Sequence, residues 1–274
     1  METFHTGTLG GWLRAGDPDR QVLLLHGGPG LTDYMDELLP ELDGWTVASF
    51  QQRGLAPSAT EGTYTHAEAL ADVDEVLDHL GWTRPYVVGH SWGGYLGWKL
   101  AAYRHHRLAG VIVVDPVGAV GDKGLPEWSA AFERLVDPAL AARAAATEDP
   151  KEALALYWPY YFADPASAPP APDWEQAPQA AEGAWPEMLE PEPDLEEALT
   201  RVPIPVYAVH GAGGPMPLRA SLETLALIPD SWCDAVDGAG HFVWREAPGR
   251  VGAALDRVAA AGTGVTGRPE GTPG

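Results

Sequence analysis

Ser91 lies in the stretch GHSWGG (89–94), whose G-x-S-x-G spacing reads as a nucleophile elbow. A hydroxyl becomes a nucleophile when a sharp turn between a strand and a helix holds it where a base can reach it. Glycines on either side keep neighbouring side chains off the strand and the helix. The helix start behind the serine offers unpaired amides and a positive dipole end to a developing oxyanion. A second glycine-rich stretch, HGGPG (26–30), also follows an apolar run. There the Gly28 amide can point at a carbonyl oxygen, and with the Trp92 amide it would form a two-donor oxyanion hole. His26 within it is read as structural. The third stretch, DGAGHFVW (237–244), carries His241 on a glycine-framed loop, where an imidazole can act as general base. Of the nine histidines, His241 alone falls late, in a loop beyond the final expected strand. His90 flanks the serine and is expected to pack away in the turn, and His105 and His106 close a helix.

These residues need a sheet edge to bring them together, and the chain has the pattern for one. Apolar runs at 21–27, 44–50, 85–90, 108–115, 204–211 and 231–236 read as strands, preceded by a hairpin or strand pair at 7–16. Helical patterns alternate with them at 66–80, about 92–104, about 218–227 and 248–261, which argues for a mainly parallel sheet with helices on both faces. Thr65 and Glu68 form a capping box for the first helix, and Gly81 stops it. The alternation breaks between Val120 and Arg201. That segment starts helix-like and alanine-rich (129–146) and turns proline-rich, with eleven of the 26 prolines between Pro159 and Pro205. It reads as a lid (120–201) inserted into a core made of 1–119 and 202–262, followed by a disordered tail at 263–274. Its aromatic residues Trp128, Trp158, Tyr161 and Trp185 are expected to contact substrate. No internal repeat is present.

Composition narrows the function classes. The chain has 274 residues, 45% of them hydrophobic, enough for one large core with an insertion. A formal net charge of -22 repels nucleic acid and anionic membranes. Eleven Asp and Glu residues and no Lys or Arg occur from Glu152 to Thr200, so half of that charge sits in the lid segment. With its tryptophans, this composition favours a substrate carrying an ammonium group. The single cysteine, Cys233, excludes an intrachain disulfide and fits a reducing compartment. Residues 1–11 lack the basic and apolar regions of a signal peptide, and no apolar run reaches the roughly 18 residues of a membrane span. A soluble cytoplasmic protein is expected.

HGGPG, GHSWGG and the late Gly-His together resemble the α/β-hydrolase fold. HGGPG followed by SFQQRGLAPS (49–58) is similar to its proline iminopeptidase branch, with Gln51 where that branch has aspartate. The resemblance covers about residues 5–115 and 202–260. It implies an eight-stranded, mainly parallel sheet and a Ser-His-Asp triad, with no metal or organic cofactor. It also exposes a gap, because the family's acid commonly ends an H-G-x-x-D turn and the matching residue here is Gly214.

Disabling that acid costs about 10⁴ in turnover in serine proteases, so a carboxylate must be sought elsewhere. Asp115, in VIVVDPVG (111–118), ends the strand after the nucleophile helix. Moving the acid over by one strand shifts its anchor by roughly 4.8 Å, which a loop-mounted histidine can absorb. Some α/β-hydrolases place the acid there. Pro116 is expected to hold Asp115 extended. The competing arrangements are an acid near the histidine loop (Asp230, Asp234 or Asp237) and a dyad of Ser91 and His241 alone. The sequence thus reads as a serine hydrolase acting on an ester or amide of a small molecule through an acyl-enzyme, with Ser91, His241 and Asp115 as its triad. An acyl-transferring or ring-closing biosynthetic enzyme, or a ligand-binding protein that has lost its chemistry, would share the fold. Product analysis with an added acceptor separates the first, and phosphonate labelling of Ser91 the second.

Overall fold

Val22–Leu25, Val87–Val88 and Val111–Val114 are unbroken apolar runs, and all are buried. Strands covered on both faces require such runs, whereas a half-exposed strand would alternate. The computed structural model describes residues 1–262 and arranges eight strands in one sheet. These are β1 (Glu2–His5), β2 (Gly10–Arg14), β3 (Asp17–Leu25), β4 (Trp45–Phe50), β5 (Tyr86–His90), β6 (Gly110–Val114), β7 (Val206–Gly211) and β8 (Ser231–Val236). Their order is β1-β2-β4-β3-β5-β6-β7-β8. The β1/β2 and β2/β4 pairings are antiparallel and every other pairing is parallel. The expected disordered tail, 263–274, lies outside the described residues.

Successive side chains on a strand point to opposite faces, so each strand feeds two cores. Leu23, Leu25, Val87, Val111 and Val113 join one cluster, and Val22, Leu24, Val88, Ile112 and Val114 the other. The first is closed by α1 (His66–Leu80) and α2 (Trp92–Arg104). Thr65 caps α1 by accepting the Glu68 amide at 3.2 Å, and Gly81 ends it at φ 67°. The expected return contact from Glu68 to the cap is absent. Its carboxylate is drawn instead to the Thr63 hydroxyl and lies 3.9 Å from Arg53.

Between β6 and β7 the chain passes through α3 (Leu125–Leu135), α4 (Pro138–Ala146), α5 (Pro150–Tyr157), α6 (Pro178–Leu189) and α7 (Pro193–Leu199). The helix-like, alanine-rich stretch 129–146 falls in two helices, because Pro138 cannot continue α3 and instead starts α4 under an Asp137 cap. After β7 come α8 (Leu218–Leu225), α9 (Val243–Glu246) and α10 (Arg250–Gly262).

Register sets up the edge that matters. His90 pairs with Val114 and Val114 with Val209, so Ser91, Asp115 and His210 leave three adjacent parallel strands at one level. Ligands bind outside such carboxyl ends in open α/β sheets.

The insertion is tied to α2 by a buried ionic knot. Glu192 accepts hydrogen bonds from Lys99 and from the Tyr95 hydroxyl, and from Lys123 at 2.9 Å. Lys123 also donates to the Met188 carbonyl at 2.6 Å and the Glu190 carbonyl at 3.0 Å. Burial pushes the Glu192 carboxyl up, but the donors Lys99, Tyr95 and Lys123 together outweigh it and hold the group at about 2. Below its unfolded value the unfolded chain takes up a proton that the folded chain refuses, so this stabilisation is full above about 4.5 and lost as pH falls toward 2. Glu192→Gln should therefore cost about 3 kcal/mol in urea unfolding at pH 7. The gap to the parent should narrow between pH 5 and pH 3, and a gap independent of pH would contradict the assignment.

Candidate active site

The turn at Ser91 is built by the glycines around it. A methyl on Gly89 would lie 2.1 Å from the Gly93 carbonyl oxygen, and one on Gly93 would lie 2.2 Å from that of Leu25. Strand, turn and helix therefore meet backbone to backbone. Ser91 sits at φ 55° and ψ -119°, a conformation that costs of order 1–3 kcal/mol and persists only when its surroundings impose it. Its amide donates to Val114 at 2.9 Å and its carbonyl accepts from Tyr95 at 2.9 Å, one bond on each side of the bend. Neither the Gly28 amide nor the Trp92 amide donates to another group among the described residues.

Asp115 is wholly buried. Its Oδ2 accepts from His241 Nδ1 at 2.7 Å. Its Oδ1 accepts from the Gly211 amide at 2.9 Å and faces His210 Nε2 at 3.3 Å. Asp115 is not extended as Pro116 led us to expect, but stands at φ 45°. Its own amide is held by the Val209 carbonyl at 2.8 Å while its carboxylate returns to the next amide but one along β7, Gly211. Aspartate is among the residues that tolerate this region when such local bonds are made. The other acids lie elsewhere: Asp237 is exposed and Asp234 faces Arg250 at 3.3 Å.

The turn that lacks a carboxylate has no room for one. A methyl on Gly214 would lie 2.9 Å from Gly240 Cα and 3.1 Å from the His241 amide nitrogen. The histidine loop has settled against this turn, and a methyl on Gly213 would meet Ala163 Cβ of the insertion at 2.8 Å.

Further hydrogen bonds, which sequence reasoning missed, tie the segments together. The His241 amide donates to the Tyr161 carbonyl at 2.7 Å. His90 Nε2 donates to the His241 carbonyl at 2.9 Å, so its Nδ1 accepts from the Tyr34 hydroxyl at 2.6 Å. Tyr34 in turn accepts the Gly27 amide at 2.8 Å. Burial, reinforced by nearby His241, holds His90 well below the ordinary imidazole value, which keeps it neutral in this relay. His26 is lowered by burial and accepts the Gln52 amide at 3.0 Å. Gln51, in the aspartate's place, braces the same loop by accepting from the Asp33 amide at 2.9 Å and donating to the Leu31 carbonyl at 2.9 Å.

Ser91 and His241 open onto one cavity of about 110 Å³, together with Gly28 and Trp92. Trp128, Tyr161 and Trp185 line it, and Val117, Met188 and Met216 complete it. No pattern in the sequence marked those three, which arrive from separate elements. Trp158 is not there. It is 1% exposed, donates to the Pro169 carbonyl at 2.8 Å and packs against Phe242 at 4.8 Å, because its ring fills the second core. Among the described residues, no carboxylate lines this cavity. Several acids of the insertion are engaged elsewhere: Glu192 with two lysines, Glu187 with the His66 amide, Asp173 and Glu175 with Lys151, and Glu152 with Arg143. Among the described residues, no group of three or more His, Cys, Asp or Glu is placed to hold a metal ion.

A family model described as the alpha/beta hydrolase fold matches residues 21–248. Epoxide hydrolase B of Mycobacterium tuberculosis is 36% identical over 118 residues, which are 40% of this chain and 33% of that protein. Proline iminopeptidase of Elizabethkingia meningoseptica is 27% identical over 164 residues, 54% of this chain and 53% of that one. The chain thus spans about a third to a half of the length of these curated relatives. The crystal structure of VinJ superposes with a TM-score of 0.72 at 23% identity, covering 94% of this chain and 98% of that one.

Restoring an acid at the family's usual position should fail on steric grounds. Gly214→Asp is expected to lower stability by about 1–3 kcal/mol, the usual range for overpacking. Thermal unfolding measures this, and a variant as stable as the parent would show that the turn can open.

Proposed function

This chain belongs to the α/β-hydrolase family, and from that premise we propose that it is a serine hydrolase cleaving an ester or amide through an acyl-enzyme. The observation that carries the proposal is the 2.7 Å bond between Asp115 and His241 beside a cavity that also holds Ser91. Asp115 accepts the Nδ1 proton, which leaves Nε2 of His241 with its lone pair free. Nε2 removes the Ser91 proton as Oγ forms a bond to the substrate carbonyl carbon. The carbonyl oxygen takes the negative charge and is received by the Gly28 and Trp92 amides. The imidazolium, stabilised by Asp115, returns the proton to the leaving alcohol or amine as the carbon–heteroatom bond breaks. Water, deprotonated by the same imidazole, then attacks the acyl carbon, and as the bond to Ser91 Oγ breaks the imidazolium returns the proton to Oγ and the acid is released.

Asp115 can serve from β6 because β7 orients it. The Gly211 amide holds one oxygen, with His210 Nε2 3.3 Å from it, and the other oxygen is left for His241. The cavity wall of tryptophan, tyrosine, valine and methionine favours an uncharged group next to the scissile bond.

Hydrolysis of p-nitrophenyl esters and aminoacyl amides tests this reading. Ser91→Ala should reduce turnover to background and abolish labelling by a fluorophosphonate. Asp115→Asn should lower kcat by about 10³–10⁴ while labelling becomes slow but detectable. Full turnover in Asp115→Asn would remove Asp115 from the mechanism, and an unlabelled parent would remove the hydrolase reading itself.

A further inference from the structure

Beside the cavity that holds Ser91, a second hollow of about 580 Å³ opens between α3, α4 and α5. The two share Trp128 and Tyr161 as common walls. Trp128 stacks on Trp185 of the inner cavity at 6.0 Å and 7°. Phe132, in the outer hollow, stands edge-on to Trp128 at 5.8 Å and to Tyr161 at 5.2 Å. An aromatic wall therefore runs without a break from beside Ser91 to the outer space. Val136, Ala141 and Tyr157 extend it, and the carboxylate in its lining, Glu133, is exposed.

Size separates the roles of the two spaces. Sites that enclose a drug-sized ligand measure roughly 300–1,000 Å³. The inner cavity, at about 110 Å³, holds only a small fragment around the reacting carbon, whereas the outer hollow, at about 580 Å³, falls within that range. We propose that the substrate is bipartite, with a small scissile end at Ser91 and an uncharged apolar arm of medium-chain length bound in the hollow between α3, α4 and α5. This rests on the hydrolase reading, and the arm belongs to either the acyl or the leaving group. The shared chemistry is an alkyl or aryl chain, which an apolar wall binds by removing it from water.

Two ester series separate the sources. In one the acyl chain lengthens on a fixed p-nitrophenol, and in the other the alcohol lengthens on a fixed acetyl group. In one series kcat/KM should climb by up to roughly fourfold per buried methylene until the hollow is full. Ala141→Trp fills the hollow, and Ser129→Trp, at an exposed position on α3, does so with less risk to folding. Each should lower the ratio of octanoyl to acetyl, or octyl to methyl, turnover by about tenfold or more, the loss of two or so buried methylenes. The same variants placed in a Ser91→Ala background, titrated calorimetrically with alkyl methyl ketones, report on the hollow without any chemistry. There, affinity should rise with chain length and fall about tenfold on filling, again two methylenes' worth. Flat series, or length dependence untouched by both tryptophans, would overturn the inference even if phosphonate labelling of Ser91 succeeds. Absent labelling with length-dependent ketone binding would overturn the hydrolase reading and keep the hollow as a binding site.

Discussion

A carboxylate removed from water must be met by donors, or its burial costs several kcal/mol. Asp115 is fully enclosed and accepts hydrogen bonds from His241 Nδ1 and the Gly211 amide, with His210 Nε2 3.3 Å away. Much of the surrounding geometry follows from that requirement. The backbone at Asp115 turns to φ 45° so that its oxygens face β7 and the histidine loop. His210 is itself pinned, accepting from the Ser221 hydroxyl at 3.1 Å on Nδ1 and facing the Met216 carbonyl at 3.1 Å on Nε2. The surroundings of the proposed acid thus come from β7, from α8 through Ser221 and from the loop between them through Met216.

The turn after β7 shows the other side of the same exchange. With the carboxylate on β6, this turn has no side chain to present and closes on Gly240 instead. That contact sets the height of the histidine loop, whose amide is held by Tyr161 and whose carbonyl is held by His90. Through Tyr34, His90 also reaches the Gly27 amide, so the loop before Gly28 and the loop bearing His241 share one buried relay. A neutral His90 is required there, since its Nδ1 must accept a hydrogen bond from the tyrosine hydroxyl while its Nε2–H donates one to a carbonyl.

The insertion contributes walls and a brace. Trp128, Tyr161, Trp185 and Met188 come from it, and Glu192 ties it to α2, the helix that begins behind Ser91. Its excess acid turned out to be a property of its outer surface and of this brace. Charge counted along a sequence does not say which way each carboxylate faces, and here none lines the cavity that holds Ser91, while Glu133 lines the outer hollow.

Periodicity and spacing along the chain were enough for the central strands, the main helices, the elbow at Ser91 and the late histidine, because each is a local pattern of burial or backbone demand, whereas β1 (Glu2–His5) fell outside the strand pair expected at 7–16. Asp115 could also be singled out, since a carboxylate ending a central strand is visible in one dimension. What folding alone decided were relations between distant segments. Gly214 has no space because Gly240 lies against it, His210 comes within 3.3 Å of Asp115 from the neighbouring strand, and Trp158 turns into the core while Trp128 and Trp185 stack over the cavity. These depend on which surfaces meet when the sheet, the insertion and the last loop pack together, and contacts between residues 26 or more positions apart leave no periodic trace in the chain that forms them.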